Sequence, residues 1–445
     1  MSERRTFYVQ NFGCRATQAD GAAITADLSA RGLQRDADWS AADVVVVNTC
    51  TVTAEADSDA RQTIRRIHRE NPSAEILVTG CYAQRRPEEL SRLPGVRWVV
   101  GNSHKPQIGE VVAPQRLVSL HPSHEAFHGG VAAGGLLVGD ISQQRQLLTA
   151  PFLESGQDRS RPNLKVQDGC NNRCTFCIIP SVRGLSRSAP PELAVAEMRK
   201  LARTFPEVVL TGINLGRWGR DLPGRPRFHT LLERLLAETP IRKIRVSSVE
   251  PMDWTQDLLE LLAAEPRLAK HVHIPLQSGC DTVLQRMRRR YRIRHYADRI
   301  ERARALMPEA SIGADVMVGF PGETDAEFEQ SRAFIEQAPF TYLHVFTYSA
   351  REGTPAAAAP GQVSKPVKKE RNRALRELID RKRRAFRRSL AGREVDAVTL
   401  ARPVEGGGAA LTDNYLEVTI PGEPLRPAQL VRVRLEPDAA TARLV

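Results

Sequence analysis

Four consecutive valines, residues 44–47, run into "NTC" and, five residues on, into a segment of helical periodicity, "ADSDARQTIRRIHREN". A β-branched run of this kind favours a strand, and a strand apolar at every position is one buried on both faces. The phrase recurs through the first hundred residues. "TFYVQ" precedes "QADGAAITADLSARG", a helix closed by Gly32. "EILVTG" and "RWVVG" supply two more strands, and the helix after the valines stops at Asn71 and Pro72. Strand alternating with helix predicts a parallel sheet covered on both faces, a doubly wound α/β domain.

All strands of such a sheet end at one edge, and ligands bind beyond it. "FYVQNFGC", "ADVVVVNTC" and "EILVTGC" each place a thiol just past a strand. Cys14, Cys50 and Cys81 are therefore expected on one rim. The plain alternative is three unrelated core cysteines, and the gaps match no compact zinc motif. The threefold repetition of the placement favours a site.

At 445 residues the chain needs two or three domains. Residues 105–160 are Gly-rich and polar and read as a linker or flexible loop. Six apolar strand candidates then alternate with helical segments: "LKVQ", "EVVLTG", "IRKIRVSS", "HVHIPL", "SIGADVMVGF" and "YLHVFTYS". They predict a partial (β/α)6 barrel over residues 161–362 with its site at the strand C-termini. From 391 to 445 short alternating strands and Gly/Pro turns predict a small OB-like β-barrel.

Three bulk properties narrow the function. No apolar stretch is long enough to span a membrane, and "MSERRTFYVQ" has no signal-peptide core, so a cytoplasmic protein is expected. Seven cysteines in that compartment point to metal or catalysis before disulfides. The net charge of +12 is concentrated in one helix, residues 363–390: between Lys365 and Arg388 twelve Lys/Arg face three acids, an excess of nine. A solvated face is the bland reading, but so lopsided a helix repels itself. Lys368, Lys369, Arg381, Lys382, Arg383, Arg384, Arg387 and Arg388 are expected to meet nucleic-acid phosphates.

"DGCNNRCTFCIIPSVRGLSRS" carries the most chemistry. Cys170, Cys174 and Cys177 form C-x3-C-x2-C in one loop after a strand. Soft thiolates select iron–sulfur clusters or zinc, and structural zinc wants a fourth ligand that is not nearby. A four-iron cube on three cysteines keeps one iron open.

At this point the sequence resembles the radical S-adenosylmethionine (SAM) enzymes, and among them the methylthiotransferases. The likeness rests on the three N-terminal cysteines, "GCNNRCTFCIIPSVRG", "TGINLGRWG", "SSVEP", "HIPLQSG", "GADVMVGFPGET" and a C-terminal barrel of the TRAM type, in that order. It implies residues 1–104 as the methylthiotransferase domain and two [4Fe-4S] clusters. Cys170, Cys174 and Cys177 would hold the one that cleaves SAM to a 5′-deoxyadenosyl radical. Cys14, Cys50 and Cys81 would hold the auxiliary one, which carries the sulfur to be inserted. A second SAM gives the methyl group.

By the same resemblance, Thr211, Gly212, Ser248, Glu250, Gln277, Asp315, Met317 and Phe320 are the expected SAM contacts. The base rate for each is ordinary strand-end structure, and Met317 and Phe320 are as much core candidates. Cys280 is expected to be a bystander. Thr17 stands where the family usually has Asn.

Charge favours RNA over the family's ribosomal-protein substrate. "NTCTVT" and "TGINLGRWG" resemble the branch acting on N6-threonylcarbamoyladenosine beside the tRNA anticodon; isopentenyladenosine is the alternative. The partners implied are a tRNA anticodon stem-loop, an electron donor of flavodoxin or ferredoxin type and a sulfur source, with no membrane.

Overall fold

The computed structural model describes residues 5–114, 135–145, 147 and 160–445. They form two compact units: Met1–Leu153 with Gly169–Asn171 and Ile178–Leu185, and the remainder. Among the described residues no helix is long and apolar enough to cross a membrane.

The first unit is built on a six-stranded, wholly parallel sheet in the order Gln34–Arg35, Thr6–Asn11, Val44–Thr49, Glu75–Gly80, Val96–Gly101, Gly135–Leu137. The valines lie at its centre and divide by parity, as a strand requires. Val45 and Val47 pack with Ala60, Ile64 and Ile67 of the helix Ala54–Glu70. Val44 and Val46 pack on the other face with Phe7, Ile24, Leu28 and Leu77. Burying each is worth about 1.5–3 kcal/mol. Thr53 caps that helix by accepting the Ala56 N–H, with Glu55 and Asp57 in its first turn and Arg69 in its last, each charge matched to the helix dipole.

Register brings the strand ends level. Asn48 pairs with both Asn11 and Thr79. The segment expected as a linker contributes to this unit: Ile108–Val112 is a helix and Gly135–Leu137 the sixth strand. Five and three residues are too short to show a period. Residues 115–134 and most of 146–159 lie outside the described residues.

The second unit holds the six anticipated parallel strands: Asn163–Lys165, Glu207–Thr211, Lys243–Val246, His271–His273, Ser311–Val318 and Tyr342–Thr347. They hydrogen-bond as two three-stranded sheets, joined where the Val249 N–H donates to His273 O at 3.1 Å. The helix Lys365–Ser389 follows, then five antiparallel strands from Glu394 to Leu444. The Thr419 N–H reaches Ala440 O at 2.9 Å and ties the two edge strands, closing that sheet on itself. A buried network anchors this small barrel. Arg245 pairs with Glu207 at 2.8 Å and donates to Asp413 O and Thr412 O at 2.9 and 3.1 Å.

Candidate active site

Cys14, Cys50 and Cys81 follow three neighbouring strands of the first unit. Gly13 has φ +87°, and a Cβ there would stand 2.7 Å from Cys50 Cβ and 2.9 Å from its Sγ. Only glycine lets the turn before Cys14 close over Cys50. Gly80 repeats the device beside Cys81: φ +97°, with Thr49 O 2.3 Å from where a Cβ would be. Burial first, then the neighbouring Cys81 and Cys14, push the Cys50 thiol up to about 12, against a downward pull from Arg183. Thiols that oppose each other's ionisation are the donor set a multivalent cation satisfies, because the metal replaces their protons. The residues fit a thiolate-bound cluster.

Charged groups behind these thiols were not evident in the sequence. Arg183, 2% exposed, donates from Nε to Cys81 Sγ at 3.3 Å and from Nη2 to Thr17 Oγ1 and Asp20 Oδ2, both at 3.2 Å. Lys105 Nζ, also buried, lies 2.9 Å from the same Asp20 oxygen, and Asn102 Nδ2 is 3.6 Å from Cys81 Sγ. Two cations against one carboxylate leave one positive charge facing the sulfurs. Thr17, the departure from the family pattern, is buried with its hydroxyl 3.5 Å from Cys14 Sγ. The available signal was Arg183 inside "PSVRG", an arginine next to a thiol motif.

Cys170, Cys174 and Cys177 are half-buried in the loop between Gln167–Asp168 and Ile179–Arg183. In the first unit the Cys170 N–H donates to Gly184 O at 3.0 Å, and Gly169, φ +69°, lies where a Cβ would be 2.0 Å from Leu185 O. In the second unit Thr175 donates its N–H to Met287 O at 3.1 Å and its hydroxyl to Arg286 O at 2.9 Å. Phe176 meets Phe320 edge-on at 6.4 Å. Arg289 Nη1 donates to Cys174 Sγ at 3.3 Å, and its Nη2 pairs with Glu250. The Cys174 sulfur thus faces a buried guanidinium, and thiolate sulfur is what binds iron in such clusters.

The expected SAM contacts are placed as follows. Thr211 is buried at a strand end, and its carbonyl accepts the Val166 N–H at 3.0 Å. Beside Gly212 the side chain of Gln167 would be 3.0 Å from a Cβ, and it accepts the Asn214 N–H at 2.6 Å. Ser248 Oγ lies 2.7 Å from His273 Nδ1, and His273 Nε2 lies 3.5 Å from Asp315 Oδ1. His344 completes a compact group with His273 and Asp315. Burial pushes the Asp315 carboxyl up to about 6 against the pull of His344 and Arg289. Gln277 has φ +64° and bonds through its backbone to Asp315 O and the Met317 N–H, both at 2.8 Å.

Phe320 lies just beyond the strand Ser311–Val318. It is buried in an apolar cluster with Cys280, Val283, Met287 and Tyr348, against which Met317 packs, and its ring supports Phe176 of the cysteine loop. Cys280 is buried there too, its thiol 3.1 Å from both Thr282 Oγ1 and Gln330 Oε1.

The basic helix divides. Lys368 Nζ donates to Tyr348 O at 3.0 Å, Lys382 to Ala338 O at 2.7 Å, and Arg387 to Ala439 O and Glu417 O at 2.9 and 3.1 Å. These three strap the helix to the barrel and the C-terminal sheet. Arg381 lies 3.5 Å from Glu336. Lys369, Arg383, Arg384 and Arg388 are exposed.

Residues 164–335 match the Radical SAM superfamily, and residues 6–101 match Uncharacterized protein family UPF0004. The solved structure of the radical S-adenosylmethionine methyltransferase TsrM from Kitasatospora setae, with cobalamin and a [4Fe-4S] cluster bound, superposes with a TM-score of 0.56. It covers 80% of this chain and 77% of that one at 16% identity, a likeness of fold. Threonylcarbamoyladenosine tRNA methylthiotransferase MtaB of Bacillus subtilis (strain 168) is 36% identical over 438 residues, 97% of this chain and 93% of that protein. Its namesake in Rickettsia prowazekii (strain Madrid E) is 37% identical over 415 residues, 93% and 90%. tRNA-2-methylthio-N(6)-dimethylallyladenosine synthase of Thermobifida fusca (strain YX) is 34% identical over 403 residues, 89% and 78%. The chain belongs to the tRNA methylthiotransferase family of radical SAM enzymes.

Proposed function

We propose that this chain inserts a methylthio group at C2 of N6-threonylcarbamoyladenosine in tRNA, using two [4Fe-4S] clusters and SAM. The observation that carries the reading is identity of 36–37% along more than nine-tenths of the chain with two relatives named for that substrate. Cys170, Cys174 and Cys177 hold the SAM-cleaving cluster, and Cys14, Cys50 and Cys81 the auxiliary one. When bound, these groups supply hydrogen-atom abstraction from an unactivated carbon, the inserted sulfur and the methyl group, chemistry no side chain provides.

The chain's own residues hold the sulfurs in place and set positive charge beside them. Arg289 does so at Cys174 while orienting Glu250, whose carboxylate suits the ribose or amino group of SAM. Arg183 and Lys105 do so around Cys81, with Asp20 holding both cations in position. Thr211, Gly212, Ser248, Gln277, Asp315 and Met317 line the strand ends where SAM binds. Lys369, Arg383, Arg384 and Arg388 present charge to the anticodon stem-loop. The reaction also needs a low-potential electron donor of flavodoxin or ferredoxin type and a sulfur source, and tRNA as substrate places it in the cytoplasm. The 34% relative named for dimethylallyladenosine keeps that nucleoside as the second substrate.

Nucleoside mass spectrometry of total tRNA, from cells with and without the gene, tests this. Loss of 2-methylthio-N6-threonylcarbamoyladenosine with accumulation of its precursor is expected. Loss of the isopentenyl counterpart moves the substrate; an unchanged profile overturns the tRNA assignment. Alanine at Cys170, Cys174 or Cys177 is expected to abolish 5′-deoxyadenosine formation.

A further inference from the structure

A cleft in the second unit opens beside the cysteine loop, lined by Cys174, Glu250, Met252 and five arginines: 173, 217, 288, 289 and 290. Two of the arginines are committed, Arg289 to Glu250 and Cys174, and Arg217 to Asp253 at 2.8 Å. Arg173, Arg288 and Arg290 are exposed, and among the described residues none has an ion-pair partner.

The backbone holds this convergence in place. The helix Asp281–Arg286 ends in a turn with Arg288 at φ +54°, left-handed and costly for a side-chain-bearing residue. That turn separates three consecutive arginines: Arg289 goes under Cys174, and Arg288 and Arg290 stay in solvent at the cleft. Thr175 ties the turn to the cysteine loop through Arg286 O and Met287 O. Three uncompensated guanidinium groups at one small mouth repel each other, and their planar forks match the oxygens of a carboxylate or phosphate. Met252, 37% exposed, adds an apolar surface in the same cleft.

We propose that Arg173, Arg288 and Arg290 form an oxyanion site that receives an anionic group of the RNA substrate next to the reactive loop. The site rests on the tRNA methylthiotransferase reading. Two groups share the chemistry: the threonyl carboxylate on the modified adenosine, and a backbone phosphodiester beside it. The first would make the site the discriminator against the uncharged isopentenyl nucleoside, because removing the anion leaves the cluster of cations unmatched.

Three synthetic anticodon stem-loops separate the outcomes, carrying N6-threonylcarbamoyladenosine, isopentenyladenosine or plain adenosine. Binding to the full-length, cluster-loaded protein is followed by anaerobic fluorescence anisotropy over a range of salt. Arg288→Gln and Arg290→Gln are compared with their Lys counterparts, and equal thermal midpoints confirm folding. A roughly tenfold loss per arginine, partly restored by lysine, is expected. A loss confined to the threonylcarbamoyl stem-loop assigns the carboxylate. An equal loss on all three, with a salt slope smaller by about one per arginine, assigns the phosphodiester. Unchanged affinity for all three, where the unsubstituted protein binds, overturns the oxyanion site. Failure of the unsubstituted protein to bind any stem-loop overturns the functional reading instead.

Discussion

Arg183→Met would test the charged support behind the auxiliary thiols. The guanidinium is buried and reaches Cys81 Sγ, Thr17 Oγ1 and Asp20 Oδ2 at 3.2–3.3 Å. Methionine keeps much of the side-chain volume and removes every donor. A hydrogen bond to a charged group is worth about 1.5–3 kcal/mol, and breaking a buried pair costs about 3–5 kcal/mol when the partner is stranded. Asp20 is not stranded, since Lys105 remains 2.9 Å away. The expected loss is therefore near the lower bound, about 3 kcal/mol, or about 6–12 °C in the unfolding midpoint of a unit of this size. Lys105→Met should cost a similar amount, because Asp20 then keeps Arg183. The double variant removes both cations from the buried Asp20, so its loss should exceed the sum of the singles by more than about 1 kcal/mol. Anaerobic calorimetry of the full chain reads all three. Additive losses, or a midpoint drop under about 2 °C for Arg183→Met, would refute the claim that these two cations share Asp20.

Gly13→Ala forces a methyl against Cys50, so it should lower iron content by about four atoms per chain while 5′-deoxyadenosine is still formed; full iron content would contradict the packing argument. Glu327 pairs with Arg286 and Thr282 and caps its own helix, and the Arg286 hydrogen bond leads in holding its carboxyl down at about 2 against an ordinary 4.5. A depressed carboxylate stabilises fully above 4.5 and loses that contribution as pH falls towards 2. Urea unfolding at pH 6 and pH 3 should therefore show a smaller acid loss for Glu327→Gln than for the unsubstituted chain. Arg383→Glu with Arg384→Glu should weaken tRNA binding and flatten its salt dependence at unchanged stability. Lys382→Gln with Arg387→Gln should instead lower the unfolding midpoint, since those side chains bond carbonyls; a reversed pattern in nitrocellulose filter binding and calorimetry would return both pairs to the phosphate role.

Much of this architecture was legible because parity and period are local properties. Val44–Val47, apolar at every position, could only be a strand covered on both sides, and its thiol could only follow at the sheet edge. The same logic recovered all six barrel strands and the closed antiparallel tail. The short elements escaped: Gly135–Leu137 pairs with Val96–Gly101 across a long intervening segment, and three residues carry no period.

Side-chain partners escaped for a different reason. The sequence shows that Lys368, Lys382 and Arg387 are cations; whether a cation meets water, a phosphate or a carbonyl depends on which chain end packs beside it. Phe320 read equally as ligand contact or core, and the rings that pack on it, Phe176 and Tyr348, come from distant parts of the chain. By itself the sequence determined the three-part order of the chain, the sheet edge that carries Cys14, Cys50 and Cys81, and the loop that carries the other three thiols. Only the tertiary structure decided what stands behind the sulfurs. Arg183 lies 102 residues from Cys81, and Arg289 lies 115 residues from Cys174. Ionisation of a thiol depends on distances in space, which close only when the chain has folded.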